Sequence, residues 1–415
     1  MIVLSGFIIS FHQFPVKIYE KVLYFLHLIL YNEENTARKD TLMEKIKILL
    51  TGIGGYASTY VNPLLDGKYP DCEIAGCADP YPHSCPRIDE IRERGIPVYA
   101  DMNDFFADGK TADLCVITTP IHLHARQMKT ALSHGCHVLC EKPLCGDIAD
   151  LDSLLEAEKS SGKYVAIGYQ WSHSPAIQAL KADILQGLYG KPELLKSIVL
   201  WPRDRAYYAR GCGWAGKLTS ADGSLILDSV ANNATAHYLH NILYVLGDTV
   251  DSSAMPTDVK ADLCRANKIE NYDTCTMHLT FASGAKALFI ASHATDKTYN
   301  PVFEYRFSGG IVTYTEQEGK REIIGTLADG TVKNYGNPFD DATAKLTRAV
   351  NAVKDPTVKP VCGITAASAH AKVIAEAQKS GIRDFAPEAI RENAKGTGVY
   401  VEGLYEALMQ EYENA

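Results

Sequence analysis

The chain has 415 residues, 46% apolar and 22% charged, and this ordinary composition excludes collagen, coiled-coil and wholly disordered architectures. Its length predicts two domains or one large one. A net charge of −9 without a long basic run argues against nucleic-acid binding, which needs a positive surface for phosphates. The eleven cysteines form no CxxC pair, and several lie in apolar runs, so the sequence favours a reducing cytoplasm over a disulfide framework.

Residues 1–44 are predicted to be an N-terminal extension outside the folded core. Their apolar runs, 1–11 and 22–31, are each shorter than the roughly 18 residues that a membrane span needs. They lack the charge and cleavage pattern of a secretory signal. Because a strand-like segment follows Met43 at once, an upstream start codon is the favoured interpretation, and a helix anchored at a membrane surface is the alternative.

From Ile46 onward, apolar runs alternate with helical patterns. Such alternation with short links predicts an α/β fold, a doubly wound parallel sheet that binds ligands at the carboxyl ends of its strands. Buried strands are predicted over 46–50, 72–78, 114–120, 137–140 and 164–168, and helices over 125–134 and 151–161.

A glycine-rich turn follows the first of these strands, at Gly52-Ile-Gly-Gly-Tyr56. Glycine lets the backbone turn sharply and approach a pyrophosphate, and the N-terminus of the next helix favours that anion. Asp79 ends the second strand, where a carboxylate accepts hydrogen bonds from an adenosine ribose and repels a 2′-phosphate. This pattern favours NAD over NADP.

Two further stretches, Thr118-Thr-Pro-Ile-His-Leu-His124 and above all His137-Val-Leu-Cys-Glu-Lys-Pro-Leu144, resemble the Gfo/Idh/MocA family, the glucose–fructose oxidoreductase and inositol dehydrogenase group. The resemblance runs from about residue 45 to the C-terminus. It implies a Rossmann domain at 45–168 and an α/β substrate and oligomerisation domain at 169–415, built on a large open, mainly antiparallel sheet. Strand patterns over 194–201, 274–281, 285–292 and 302–308 are consistent with that sheet.

The resemblance implies that Lys142 stands beside the nicotinamide and bonds the substrate hydroxyl. A partly desolvated lysine near a cation has a lowered pKa, which suits proton transfer near neutral pH. A merely solvated lysine is the alternative. The residues predicted to bind the cofactor are Gly52, Ile53, Gly54, Gly55, Tyr56, Asp79, Thr119, Pro120, His122, His124, Glu141, Lys142 and Gln170.

The family's second signature is Asp-x-x-x-His-x-x-Asp, and this chain has Asn233, His237 and His240 at its three positions. His237 takes the place of the general base, and on a regular helix all three side chains share one face. An amide cannot act as a carboxylate, although it can orient a hydroxyl. Asp228 either supplies the missing charge or caps the helix together with Ser229.

The stretch 201–216 is rich in Trp, Tyr and Arg, a composition that suits a carbohydrate pocket, although plain packing would also explain its tryptophans. A zinc site from His173, His237 and His240 lacks a carboxylate or cysteine as a further ligand, so no metal is predicted. The residues predicted to contact substrate are Lys142, Tyr169, Arg203, Tyr208, Arg210, Asn233, His237 and His240.

These patterns together predict an NAD(H)-dependent oxidoreductase that moves a hydride between the nicotinamide and a hydroxyl carbon of a sugar, sugar acid or cyclitol. Lys142 and His237 would handle the hydroxyl proton, and Asn233 would assist. Two alternatives stay open: a redox-neutral glycosidase or lyase that oxidises its substrate transiently, and a catalytically silent nucleotide-binding sensor. The resemblance implies a homodimer or homotetramer, with no membrane partner expected for the core.

Overall fold

The computed structural model describes residues 2–4, 7–9, 44–210 and 213–415. Contacts divide the chain into two compact units, 1–45 and 46–415. In the first unit, strand β1 (Ile2–Leu4) pairs antiparallel with strand β2 (Phe7–Ile9). The predictions for the remainder of the N-terminal extension concern residues outside the described ranges.

The second unit begins with a six-stranded, all-parallel sheet in the order β5-β4-β3-β6-β7-β8. Its strands are nearly continuous apolar runs because helices cover both faces of such a sheet. Strands β4 and β5 lie on one side of β3, and β6 to β8 lie on the other, so the strand order reverses between β3 and β6. At such a reversal a crevice for ligands opens at the carboxyl ends of the two strands. The strand bounds are β3 Ile46–Thr51, β4 Cys72–Ala78, β5 Val98–Tyr99, β6 Leu114–Ile117, β7 His137–Cys140 and β8 Val165–Ile167.

The helices of this region follow the predicted order, with one shifted boundary. The helix predicted from residue 125 begins at Ile121, because Pro120 occupies the N-cap and its fixed φ allows a helix to start directly after it. His122 and His124 therefore lie in the first turn of a helix rather than in a loop. The bounds are α1 Ser58–Leu65, α2 Ile88–Glu93, α3 Met102–Ala107, α4 Ile121–Ser133 and α5 Leu151–Ser161.

The C-terminal part carries a nine-stranded sheet in the order β16-β15-β14-β13-β9-β12-β11-β10-β17. All pairs are antiparallel except β9–β12 and β10–β17, so the predicted fold class is confirmed. Its strands are β9 Pro192–Leu200, β10 Asp258–Arg265, β11 Thr274–Thr280, β12 Lys286–Ser292, β13 Tyr299–Phe307, β14 Gly310–Thr315, β15 Ile323–Leu327, β16 Val332–Gly336 and β17 Ile382–Asp384.

Helices cover both faces of this sheet. On the outer face, the last helix packs against β9 and β12 through Leu404, Leu408 and Tyr412. Among the described residues, no helix is long and apolar enough to cross a membrane. The remaining elements are α6 Gln170–His173, α7 Pro175–Leu185, α8 Arg205–Ala209, α9 Ala236–Val245, α10 Ala344–Lys354, α11 Ile364–Gln378, α12 Leu404–Asn414 and the strand pair β18 Ile390–Glu392 and β19 Val399–Val401.

The segment predicted as one regular helix through Asn233, His237 and His240 is divided in two. Residues Val230–Ala234 form a π-helical turn, and α9 begins only at Ala236. The rule that residues i and i+4 share a helix face therefore does not apply between Asn233 and His237. The backbone oxygen of Asn233 accepts a hydrogen bond from a side chain of another element, Lys142.

Candidate active site

The glycine turn is open at Gly55 and closely packed at Gly54, where a Cβ would overlap Ser84 Oγ. Gly52 and Gly55 have φ values of 78° and 57°, which favour glycine. A Cβ on Gly52 would lie 3.0 Å from Thr118 Oγ1 and 3.1 Å from its carbonyl carbon, whereas a Cβ on Gly55 would meet no atom within 4 Å. Tyr56, next in the chain, is 48% exposed. The turn fits a pyrophosphate held by backbone N–H groups.

Asp79 lies at the end of β4, beside this turn. Its Oδ2 accepts a hydrogen bond from the N–H of Ile53 at 2.9 Å, and its Oδ1 accepts one from Tyr81 N–H at 2.7 Å. Each carboxylate oxygen keeps a further lone pair for a ribose hydroxyl. The side chain is buried, so its negative charge would oppose a 2′-phosphate strongly. The Asp79 carboxylate therefore fits the ribose of NAD rather than that of NADP.

The two histidines after β6 have different environments. His124 is buried, and its ring nitrogens lie 2.7 Å from the carbonyl oxygen of Pro143 and 2.8 Å from that of Thr119. Through these two contacts it joins the loops after β6 and β7. Thr119 Oγ1 donates to Gln127. His122 is half-buried, and its Nδ1 has no hydrogen-bond partner within the described part of the chain.

Glu141 is neutralised by a lysine that the sequence analysis missed. Its Oε1 accepts a hydrogen bond from Tyr60 Oη at 2.5 Å and an ion-paired hydrogen bond from Lys345 Nζ. Lys345 is fully buried, lies in α10 and also donates to Tyr56 Oη at 3.0 Å. Burial alone lowers the pKa of Lys345, but the Glu141 carboxylate and the Tyr56 hydroxyl together outweigh burial and raise it. The available signal was a lysine on the apolar face of α10, beside Leu346.

Lys142, the next residue, has no such counter-charge within hydrogen-bond distance among the residues that the structure describes. Its Nζ donates to Asn233 Oδ1 at 2.7 Å and to the Asn233 backbone oxygen at 2.8 Å. Burial lowers the pKa of this amine from 10.5 to about 8, against the opposing effect of Glu141 and Asp228. An amine with this pKa exists in both protonation states near neutral pH, which suits a proton donor and acceptor.

Asp228 holds the Asn233 amide in position. Asn233 Nδ2 donates to Asp228 Oδ1 at 2.7 Å, and Asp228 Oδ2 accepts from Gly216 N–H at 2.6 Å. Asp228 is only 2% exposed, and because its carboxylate can only accept, it turns the amide oxygen towards Lys142. The cap of the π-helical turn is made by Ser229 instead, whose Oγ accepts from Asn232 N–H at 3.1 Å. Asp228 therefore supplies a charge beside Asn233, and the capping role belongs to Ser229.

His237 and His240 do not converge as a regular helix would require. His237 is half-buried, and its Nδ1 has no hydrogen-bond partner in the ranges the structure describes. Burial, reinforced by Lys142, holds the pKa of His237 well below 6.5, so the ring is neutral. His240 is 1% exposed, stacks on Tyr169 at 3.8 Å and lies 3.2 Å from Ser172 Oγ. Tyr169 is fully buried, so both residues lie in the core rather than on the pocket wall.

The histidine-based zinc site has no support in the geometry. His173 Nε2 lies 2.9 Å from the Ile167 carbonyl oxygen. Within residues 44–210 and 213–415, no group of three or more His, Cys, Asp or Glu side chains could hold a metal ion. Gln170 begins α6 directly after Tyr169 and is half-buried at the carboxyl end of β8, where the prediction put it.

The predicted substrate residues of the 201–216 stretch gather around the ring of Tyr207. The guanidinium carbons of Arg203 and Arg210 lie 4.8 and 3.6 Å from its centroid. Tyr208 packs edge-on against it at 5.1 Å. Burial raises the pKa of Asp228, and Arg210 together with Lys142 opposes that rise, so Arg210 lies close to the Lys142 site.

The geometry can now be compared with known proteins. Residues 46–169 match the Gfo/Idh/MocA model, described as an oxidoreductase family with an NAD-binding Rossmann fold. A protein of Amycolatopsis mediterranei (strain S699), provisionally named the oxidoreductase subunit of a UDP-kanosamine synthase, is 24% identical over 329 residues, which cover 74% of this chain and 87% of that protein. A myo-inositol 2-dehydrogenase of Thermotoga maritima is 24% identical over 251 residues, which cover 57% and 69%.

Among solved structures, the WlbA dehydrogenase of Bordetella pertussis, in complex with NADH and UDP-GlcNAcA, superposes with a TM-score of 0.65 at 20% identity. The superposition covers 81% of this chain and 97% of that chain. At this identity the likeness shows the fold, and it agrees with the six-stranded and nine-stranded sheets described above. Sequence motifs, fold and family match point the same way: residues 46–169 match the NAD-binding Rossmann domain of the Gfo/Idh/MocA oxidoreductase family.

Proposed function

We propose that this protein is an NAD-dependent dehydrogenase that oxidises a secondary hydroxyl of a sugar, sugar acid or cyclitol, and that Lys142 is its central proton-transfer group. The observation that carries the proposal is the Lys142 amine, which is half-buried at the carboxyl end of β7 and bonded to an amide rather than to a carboxylate. The names of the relatives, an inositol dehydrogenase and proteins of UDP-sugar metabolism, support the same general class of substrate.

We assign the dinucleotide to residues 45–168 and the substrate to residues 169–415. Gly54 and Gly55 would hold the pyrophosphate, Asp79 the adenosine ribose, and Gln170 the nicotinamide side of the crevice. When bound, NAD⁺ supplies an acceptor for a hydride, that is, for a hydrogen with both electrons of its C–H bond. The ion pair of Glu141 with Lys345 holds the loop before Lys142 in place.

In the proposed reaction, the substrate hydroxyl lies between Lys142 Nζ and the neutral ring of His237. The neutral Lys142 amine accepts the hydroxyl proton as the C–H hydride departs and the C–O bond becomes a carbonyl, while the His237 ring hydrogen-bonds the same oxygen and orients it. In the reverse direction, the ammonium donates to the carbonyl oxygen. Asn233, oriented by Asp228, keeps the amine pointed at the reacting carbon.

The test is turnover with purified protein, NAD⁺ and a panel of polyols and sugars that includes myo-inositol, with NADH absorbance and substrate loss both measured. We expect one NADH for each substrate consumed, and we expect Lys142→Ala to abolish the signal while Lys129→Ala, a half-exposed lysine paired with Asp150, leaves it unchanged. A redox-neutral enzyme would convert aryl glycosides with only catalytic NAD, and a sensor would bind NADH without any turnover. Either result would contradict the proposal.

We also propose that the protein forms dimers through the outer face of the nine-stranded sheet. Helix α12 covers the β9 and β12 part of that face and reaches β11, where Glu411 contacts Thr276 and His278, so the free part includes the polar surface of β10 with Lys260. Light scattering of the wild type and of Lys260→Glu checks this. We expect a dimer whose dissociation constant rises in the variant, and a monomeric wild type would contradict it.

A further inference from the structure

The ring of Tyr207 is surrounded by polar groups that lack partners. We call Arg203, Tyr207, Tyr208, Arg210 and His293 the Tyr207 cluster; besides the contacts given above, the His293 ring lies 5.4 Å from that of Tyr207. The two guanidinium groups approach the same ring, yet across the described residues neither has a carboxylate within 4.0 Å. Two like charges on one ring repel each other unless an anion lies between or beside them.

Buried polar atoms in the cluster are also unsatisfied. Arg203 Nε and Tyr208 Oη are both buried without a hydrogen-bond partner in the described part of the protein, and an orphaned buried donor is costly. Both are donors. Native proteins leave such atoms unpaired mainly where a ligand or a water completes them.

His293 adds an acceptor to these donors. It is 2% exposed, and its Nδ1 lies 2.8 Å from the Trp201 carbonyl oxygen, which requires the proton on Nδ1. Its Nε2 is therefore a lone-pair acceptor, buried and unpartnered within the described ranges. A ligand that satisfies the cluster must offer both an anionic oxygen for the arginines and a hydroxyl for His293.

The charge balance beside Lys142 points in the same direction. Lys142 and Arg210 lie close to the Asp228 carboxylate, Arg203 and Arg210 lie close to His293, and Glu141 is already paired with Lys345. The second carboxylate that acts on Tyr208, Asp273, already accepts hydrogen bonds from Ala266 N–H and Asn267 Nδ2. A partly buried site with surplus positive charge binds anions because water screens the charge poorly there.

We propose that the Tyr207 cluster is an anion subsite, and that the substrate is a polyhydroxylated molecule carrying a carboxylate or phosphate group. Arg203 and Arg210 bind the anion, Tyr208 donates to it and His293 accepts from a neighbouring hydroxyl. This inference rests on the proposed function, because it takes the substrate carbinol to lie at Lys142. The opposing interpretation is that the arginines only stack on Tyr207, which would make the pocket indifferent to ligand charge.

Binding is tested apart from turnover, by calorimetric titration of the full chain saturated with NADH. The probes are D-glucuronate, D-gluconate and D-glucose 6-phosphate, each compared with D-glucose, at low and high salt. We expect at least one anionic probe to bind at least tenfold more tightly than glucose, with the carboxylate and phosphate arms identifying the anion. Raising the salt concentration should weaken only the anionic probes.

The variants are Arg203→Gln and Arg210→Gln, with Arg205→Gln as the matched control, because Arg205 lies between them at the start of α8, is exposed and pairs with Glu392. We expect each of the first two to weaken the anionic probe at least tenfold and to leave glucose binding within twofold, and the control to change nothing. If a glutamine variant fails to fold, the salt dependence of anionic against neutral probes in the wild type gives the same comparison.

Several results would overturn the subsite: no binding of any anionic probe, no preference over glucose, or equal losses for charged and neutral probes in the arginine variants. Turnover of neutral polyols without a preference for anions would remove this inference and leave the proposed dehydrogenase intact. A preference for anions without any NADH formation would do the reverse.

Discussion

The crevice has a cofactor wall, which includes Asp79 and Glu141, and a substrate wall, which includes Lys142. Across the residues described, charged groups are paired on the first wall and largely unpaired on the second. On the cofactor wall, Glu141 is paired with Lys345 and Tyr60, and both oxygens of Asp79 accept backbone N–H groups. On the substrate wall, the amine of Lys142 faces an amide, and several buried polar atoms have no partner in the ranges described. Paired charges fix geometry, whereas unpaired ones remain free to exchange protons or bind ligands.

Glu141 and Lys142 make the contrast sharpest, since they are adjacent in sequence yet belong to opposite walls. Their side chains do not neutralise each other because a lysine from α10 occupies the carboxylate. Without Lys345, the nearest counter-charge for Glu141 would be Lys142 itself, and pairing would hold that amine protonated. The ion pair of Glu141 with Lys345 therefore leaves the Lys142 amine able to exchange protons.

The largest effect is expected from removing the amine. Lys142→Ala should lower turnover by about 10²–10⁴-fold, the usual contribution of a group that transfers protons in the transition state. The dissociation constant for NADH should change little, because the glycine turn and Asp79 are untouched. Steady-state kinetics and fluorescence titration with NADH measure the two quantities. Retained turnover, or a loss of NADH binding as large as the loss of turnover, would show that the residue acts otherwise.

Breaking the paired wall should reduce stability. Lys345→Met removes the hydrogen-bonded counter-charge of the buried Glu141 carboxylate, leaves only Lys142 to replace it, and should lower the free energy of unfolding by up to about 3–5 kcal/mol. Urea unfolding measures this. Lys354→Ala is the control from the same helix: its pair with Asp71 lies at the surface, so at most about 1 kcal/mol should be lost. Adding Glu141→Gln to Lys345→Met should recover part of the stability, and no recovery would mean that the loss is one of packing.

A carboxylate placed beside Lys142 should form an ion pair with the amine and hold it protonated. Asn233→Asp places a negative charge beside the amine and should raise its pKa from about 8 by about 1 unit or more. The ammonium form is the proton donor in carbonyl reduction, so the rate of reduction should fall as pH rises through this pKa. The falling limb should therefore begin near pH 8 in the wild type and at higher pH in the variant.

The double variant Asp228→Asn with Asn233→Asp is the matched control for that experiment, because it exchanges the two side chains and keeps their total charge. It should show the same upward displacement of the falling limb without two carboxylates in contact. A limb that stays at its wild-type pH in both variants would show that a group other than Lys142 titrates there.

The smallest effect is expected at the edge of the cofactor wall. Asp79→Asn removes the negative charge beside the adenosine ribose but can keep an acceptor for Ile53 N–H. We expect the preference for NADH over NADPH to fall by about 1 kcal/mol, roughly five-fold, since hydrogen bonds to charged groups contribute about 1.5–3 kcal/mol. Dissociation constants for the two nucleotides measure it, and an unchanged ratio would place the ribose elsewhere.

Local pattern was sufficient to predict much of the fold and one wall of the site. The strand His137–Cys140 and the helix Leu151–Ser161 have the predicted bounds, because continuous burial and 3.6-residue periodicity are properties of the segments themselves. The position of Lys142 at a strand end follows from the same logic. The start of the helix after Pro120 was predicted four residues too late, because its N-cap lies upstream of the first clearly periodic residue.

What the sequence could not supply depends on contacts between distant segments. The ion pair of Lys345 with Glu141 spans 204 residues, and no local pattern specifies such a partner. The π-helical turn before α9 depends on tertiary contacts, and it changes which side chains face the pocket. His240 was expected on the same face as His237, yet its stacking on Tyr169 keeps it in the core. Whether His237 and the arginines contact substrate stays a prediction.

The most direct test is the pKa of the Lys142 amine itself, measured by NMR titration of protein labelled at the lysine side chains, with Lys142→Arg used to assign the signal. The contrast between the two walls requires a midpoint near 8, and a midpoint that moves upward in Lys345→Met, where the freed carboxylate can reach the amine. A midpoint at or above the ordinary lysine value of about 10.4, unaffected by Lys345→Met, would contradict it.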